Sequence, residues 1–432
     1  MTDPGSPSPR LRLTTRDMAY GPHAVARHGG KVVFVRGAAP DEDIDAVIGE
    51  DRRAFAFADT VAVVRPSEQR RAPPCPYLPR CGGCPWQHLR YDAQLAAKQR
   101  IVAEQLRRIA GLDVPVSPVL PSAREFGCRQ RIKLRVERGA VGFYAAASHV
   151  LVPIEHCLLA DPVVDAAIGT AGELVRALIA AVRRVELLTA AAAGGRVVVV
   201  AEAAGAWDAG DDGRCQGWLD AHPAVAGLVV RGRGWQRRWG DVRVGFEPEA
   251  GVLLSAHAPA FTQVNPGINR LLVETVLRFL DPQPGQQALD LYAGAGNLSV
   301  PLARRGVAVI AVEQDRQAAA DAAVNGRRHA RAPLRVIRDR AERAVERLAA
   351  QAVRLDAAIL DPPRSGAAGC IAALLRLAPR RLVYVGCDPA TLARDLAQLR
   401  ARYRVDAVQP LDMFPHTYHV ETVVGATLSC GT

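Results

Sequence analysis

Short β-prone runs dominate the start of the chain: Leu11–Thr15, Val32–Arg36, Ile44–Ile48 and Ala54–Val64, with turns at Gly29-Gly30 and Ala39-Pro40-Asp41. They predict a small five-stranded barrel. Leu95, Gln99, Val102 and Leu106 then recur at helical spacing across Tyr91–Ile109, and Gly111 stops them. Cys128–Val136 largely alternates charged with uncharged residues. As a strand it would put Arg129, Arg131, Lys133 and Arg135 on one side. A helix over Asp165–Arg184 and strands at Arg196–Glu202 and Gly227–Arg231 follow, in a stretch whose chemistry has no name at this stage.

From residue 285 the pattern changes. Gln287–Leu291, Val307–Val312, Leu334–Ile337, Asp356–Leu360 and Leu382–Val385 are short apolar runs, most of them separated by helical stretches. That alternation predicts a parallel sheet with crossover helices. The fold class is therefore multidomain: an OB-like β-barrel over 1–70, an α+β central domain over 71–262, and an α/β Rossmann-like domain over 263–432.

Composition adds three limits. Of 432 residues 49% are hydrophobic and 23% charged, as in a globular protein, and the net charge of +11 favours a polyanionic partner. The charge is uneven. Residues 1–70 carry ten basic and ten acidic side chains, whereas 71–160 carry thirteen against six, a net of +7. With that charge, the Arg129–Arg135 strand is read as a phosphate-contacting surface. The N-terminus lacks an apolar signal core and no run is long enough to span a bilayer. A cytoplasmic protein without membrane contact is expected, its nine Cys serving as thiols, metal ligands or catalytic groups.

Cys75-x5-Cys81-Gly82-Gly83-Cys84 crowds three thiols into ten residues, the pattern of metal ligands. Cys128, Cys157 and Cys215 are candidates for a fourth, and thiolate ligation suits zinc or an iron–sulfur cluster. In the last domain, Gly294-x-Gly296 after the first strand lets a ligand approach the backbone, and Glu313 at the end of the second can accept from a ribose diol. Ser299 breaks the dinucleotide fingerprint and speaks against an NAD-dependent oxidoreductase. Asp361-Pro362-Pro363 ends the fourth strand, poised toward a substrate, although an N-cap is the plainer role. Cys387 ends the fifth, where Pro389 opens a helix. Glu421, in an apolar setting, suits a general base.

Phe261–Asn265, Asp290–Asn297, Leu360–Gly366, Cys387–Asp395 and Leu411–Glu421 together resemble the uracil-C5 RNA methyltransferases. The N-terminal unit is similar to a TRAM domain, and the Cys pattern to the cluster-bearing branch. The resemblance implies a 4Fe–4S cluster on Cys75, Cys81, Cys84 and Cys157, and packing of residues 91–120 on the catalytic domain. It implies S-adenosyl-L-methionine contacts from Gln263, Tyr292, Asn297, Glu313 and Asp361, with a further contact near Asp339 or Arg340. It implies that Cys387 attacks C6 of uracil, that Glu421 removes the C5 proton, and that a monomer acts on RNA, ribosomal or transfer. The usual Ser-Cys-Asn-Pro is here Gly386-Cys387-Asp388-Pro389, and the Asp388 charge opposes thiolate formation. A non-catalytic RNA-binding iron–sulfur protein is the rival reading.

Overall fold

The computed structural model describes residues 10–190 and 195–429. The polar N-terminus read from the sequence lies mostly outside them. Strands β1 (Arg10–Met18), β2 (His23–His28), β3 (Lys31–Arg36), β4 (Asp43–Asp51) and β5 (Phe55–Arg65) close into a barrel in the order β1-β2-β3-β5-β4. Its alternation is plain in β3, where Val33 and Val35 are buried while Val32, Phe34 and Arg36 on the other face are only partly so. Strand β2 was not anticipated, because His23-Ala24-Val25-Ala26 has little β-branched content.

Residues 66–90 leave the barrel and fold back on it. Trp86 is fully buried among barrel residues and its indole N–H donates to Gly21 O at 3.0 Å. Helix α1 (Tyr91–Gln105) follows and ends in one π-turn, Leu106–Ala110, with Gly111 left-handed at φ 61°. This helix packs on the C-terminal domain: Val102 and Leu106 enter its core, and Lys98 makes a wholly buried ion pair with Asp412 at 2.5 Å.

The central sheet has the order β12-β11-β10-β9-β6-β7-β8. Its strands are β6 (Arg131–Glu137), β7 (Ala140–Tyr144), β8 (Leu151–Pro153), β9 (Ala181–Ala190), β10 (Arg196–Ala204), β11 (Val225–Gly232) and β12 (Trp235–Gly240). Helices α2 (Pro162–Ala166), α3 (Ile168–Ala177) and α4 (Gly210–Ala221) belong to the same unit. The helix expected to reach Arg184 stops at Ala177. Asp211 accepts the N–H groups of Ile179 and Ala180, both at 2.8 Å, and Ala181 onward pairs with β10 instead.

The expected basic face also needs correction. Arg131 is 6% exposed and ion-paired with Glu186, which Lys133 also meets at 3.1 Å. Arg135 lies over the Tyr144 ring at 5.0 Å and Arg129 over Phe414 at 5.6 Å. The period-two reading had the right geometry, but buried Glu186 on the neighbouring strand takes Arg131 out of reach of a phosphate and pairs with Lys133 as well.

A hairpin, β13 (Arg243–Glu249) with β14 (Val252–His257), leads into the last domain. There β15 (Gln287–Leu291), β16 (Ala308–Glu313), β17 (Leu334–Arg338), β18 (Ala357–Leu360) and β19 (Arg381–Gly386) run parallel. The antiparallel β20 (Tyr403–Leu411) and β21 (Glu421–Leu428) complete the order β17-β16-β15-β18-β19-β21-β20. Helices α5 (Pro266–Leu280), α6 (Ser299–Arg304), α7 (Arg316–His329), α8 (Ala341–Ala350), α9 (Ala368–Leu377) and α10 (Pro389–Leu399) cover both faces. Strands covered on both faces are apolar throughout, as β18 (Ala357-Ala358-Ile359-Leu360, all buried) illustrates. The order reverses between β15 and β18, and a ligand crevice opens outside the carboxyl ends at such a point.

Candidate active site

Three neighbouring strands deliver three reactive side chains to that edge. Asp361 follows β18, Cys387 follows β19, and Glu421 opens β21. The last registered pair between β19 and β21 is Gly386 with Thr422, so Cys387 and Glu421 are next, across from each other. Asp388 caps α10 by accepting the N–H groups of Ala390 at 3.1 Å and Thr391 at 2.9 Å, and Pro389 fills the first turn. The cap fixes the bend that presents Cys387.

The electrostatics of this corner are unusual. Glu421 is 3% exposed, and burial, then the Asp361 charge, pushes its carboxyl well above the usual range. Burial, then Asp290, raises Asp361 to about 7. Cys387 is half-buried, and its thiol is pushed up to about 12 by burial, then Glu421 and Asp361, with Arg364 opposing and Asp388 adding a smaller push. The Asp388 effect expected from the sequence has the right sign but is not the dominant cause. Arg364 is the nearby cation that eases these charges, and it lies 3.1 Å from His419 Nε2. Its motif was noticed in the sequence; its role was not.

The second group surrounds the ends of β15 and β16. Tyr292 at φ 67°, Gly294 at 55° and Gly296 at 97° turn the chain sharply. A Cβ on Gly294 would meet no atom within 4 Å, so the turn faces open space, as a ligand cradle must. Glu313 braces the turn, accepting from Gly294 N at 2.9 Å and Asp315 N at 2.7 Å. Asn297 exchanges hydrogen bonds with Asn269 of α5, both at 2.9 Å, and the Tyr292 hydroxyl lies 3.4 Å from Cys370 Sγ. Gln263 sits just before Asn265, the cap of α5. Asp339, beyond β17, is engaged by Arg347 at 2.9 Å and lines an open cleft with Gln314, Asp315, Arg338 and Arg340.

Asp290 was missed as a site residue. It is fully buried at the end of β15 and raised to about 7 by burial. Ser299 donates to its Oδ2, while Oδ1 has no partner. An acid inside an otherwise apolar strand was the signal available.

Away from this edge, Cys75, Cys81, Cys84 and Cys157 line one cavity of about 290 Å³ with Arg129, Lys133 and Phe143. Burial raises Cys81, Cys84 and Cys157, and neighbouring thiols add to each. Among the described residues no three His, Cys, Asp or Glu converge tightly enough to share one ion. The tight turn has its glycines for a reason the sequence did not reveal. A Cβ on Gly82 would come within 3.0 Å of Tyr144 O and 3.1 Å of the Ala146 backbone. Cys128, on the neighbouring segment, and Cys215, buried on α4, do not line this cavity.

The family described as tRNA (Uracil-5-)-methyltransferase matches residues 252–428. The 23S rRNA (uracil(1939)-C(5))-methyltransferase RlmD of Thiobacillus denitrificans is 38% identical over 93% of this chain and 96% of that protein. The protein of that name from Pseudomonas putida is 34% identical over 96% and 93%. Among solved structures, the Pyrococcus abyssi tRNA (uracil-54, C5)-methyltransferase bound to S-adenosyl-L-homocysteine is 26% identical. It aligns with a TM-score of 0.74 over 96% of this chain and 99% of that one. No helix among the described residues is long and apolar enough to cross a membrane.

Proposed function

This chain belongs to the RNA (uracil-C5)-methyltransferase family, and from that premise we propose that it methylates one uridine of 23S ribosomal RNA through a covalent enzyme–RNA adduct. The observation that carries the mechanism is the meeting of Asp361, Cys387 and Glu421 at adjoining strand ends. The ribosomal target rests on relatives matched along nearly their whole length, named for uracil 1939.

C5 of uracil is a poor nucleophile, so a covalent step is needed. The Cys387 thiolate adds to C6, and the electron pair of the C5–C6 double bond moves into an enolate. C5 then attacks the methyl carbon of S-adenosyl-L-methionine, and S-adenosyl-L-homocysteine leaves. Glu421 takes the C5 proton, the C6–sulfur bond breaks, and the double bond returns with Cys387 as thiolate. Asp361 orients the base by hydrogen bonding to its edge. The uridine must leave any stack to reach this corner.

Gln263, Tyr292, Asn297 and Glu313 are assigned to S-adenosyl-L-methionine, supported by the open turn at Gly294 and the braced carboxylate of Glu313. Asp339 is the weaker member of that set, because Arg347 already holds it. The barrel is read as a TRAM-like RNA-binding unit. Cys75, Cys81, Cys84 and Cys157 would hold a 4Fe–4S cluster. What supports this reading is that one cavity receives all four thiols. Bound there, the cluster would tie residues 75–84 to Cys157. One chain supplies every group named, so a monomer in the cytoplasm suffices.

Mapping 5-methyluridine in ribosomal and transfer RNA from cells lacking this protein tests the reading. Loss from one 23S position is expected. Loss from transfer RNA alone would overturn the ribosomal assignment.

A further inference from the structure

The barrel reaches the catalytic corner through a tyrosine. Tyr20, in the β1–β2 turn, donates its hydroxyl proton to Asp388 Oδ2 at 3.0 Å, on the residue next to Cys387. The other oxygen, Oδ1, holds the first turn of α10. Neither partner is free to drift. The Tyr20 ring packs edge-on against Tyr418 at 5.6 Å, and Tyr418 adjoins His419 at 4.3 Å. The turn carrying Tyr20 is pinned by Ala19 N to His23 O at 2.9 Å and by Trp86 on Gly21 O.

We propose that Tyr20 is a positioning residue for the nucleophile: the barrel reaches across the molecule to hold Asp388, and through it the bend that presents Cys387. The hydroxyl also disperses the Asp388 charge beside the thiol. The charged and titratable groups facing Cys387 are Glu421 from β21, Asp361 and Arg364 from the segment after β18, Asp388 from the α10 cap, and Tyr20 from the barrel. A single deleted hydroxyl changes only the last two.

The inference rests on Cys387 being the nucleophile, but its test reads the thiol directly. The rate of Cys387 alkylation by iodoacetamide in the full chain is followed by peptide mass spectrometry between about pH 7 and 10. The thiolate is the reactive form, so the rate climbs with pH. Tyr20→Phe keeps the ring on Tyr418 and should move the profile up by about half a pH unit, roughly threefold less thiolate at a given pH. Asp388→Asn, which still caps a helix, should move it down, and adding Tyr20→Phe to it should change nothing more. Superimposable profiles for Tyr20→Phe and the native chain would overturn the proposal, as would an equal shift in both backgrounds. If methyl transfer survived Cys387→Ala, the functional reading would fall while the alkylation result stood.

Discussion

Cys387 and Cys84 are both half-buried thiols raised to about 12, yet the company that raises them differs. After burial, Cys387 is opposed by carboxylates: Glu421, Asp361 and Asp388. Cys84 is opposed by other thiols, Cys157, Cys81 and Cys75, with Arg129 working the other way. Glu421 and Asp361, whose own affinities for protons are raised, can trade a proton with a substrate and return it. The four thiols share their cavity with no carboxylate, and a bound metal would favour their ionising together. The first arrangement suits turnover, and the second fits the proposed cluster.

The sharpest way to break this comparison is to remove one sulfur from each. Cys387→Ala should lower methyl transfer by about four orders of magnitude or more and abolish the adduct with 5-fluorouridine RNA. Cys84→Ala should still form that adduct but lose the iron–sulfur absorption of anaerobically purified protein. If Cys84→Ala abolished the adduct as completely, the two regions would not be chemically separate.

A smaller effect is expected at the seam. Lys98 and Asp412, both 0% exposed, join α1 to the loop leading to Glu421, and Lys98 Nζ also donates to Phe414 O at 3.1 Å. Lys98→Ala would strand the Asp412 charge and should cost roughly 3–5 kcal/mol of stability, read by denaturant melting. A much smaller loss would mean that water reaches the pair and that the seam is looser than its burial implies.

How far the sequence could disclose these regions follows from the range of the forces involved. The strand ends at Asp361 and Cys387 were legible because apolar runs and prolines are local signals. The crowding of Cys75, Cys81 and Cys84 was legible for the same reason. Arg131 was misread because its partner Glu186 is 55 positions away. Tyr20 was unreadable, since its partner Asp388 is 368 positions away. Helix α3 was overrun because Asp211, not the local propensity, ends it.

The smallest effect concerns two glycines, one in each region. At Gly82 the obstruction is backbone, Tyr144 O and Ala146, which cannot yield. At Gly386 a Cβ would meet only the Leu392 side chain, its Cβ at 3.1 Å and both methyls at 3.3 Å. Leu392, fully buried on α10, fills the space beside Gly386. Gly386→Ser should therefore cost only about 1–2 kcal/mol as Leu392 shifts, with methyl transfer within severalfold of native, because none of Cys387, Glu421 or Asp361 is touched. Thermal melting and single-turnover transfer check the two halves. A collapse in transfer without loss of stability would show that the departure at 386 acts on the chemistry of Cys387 itself, and the nucleophile corner would then be as intolerant of a Cβ as the turn at Gly82.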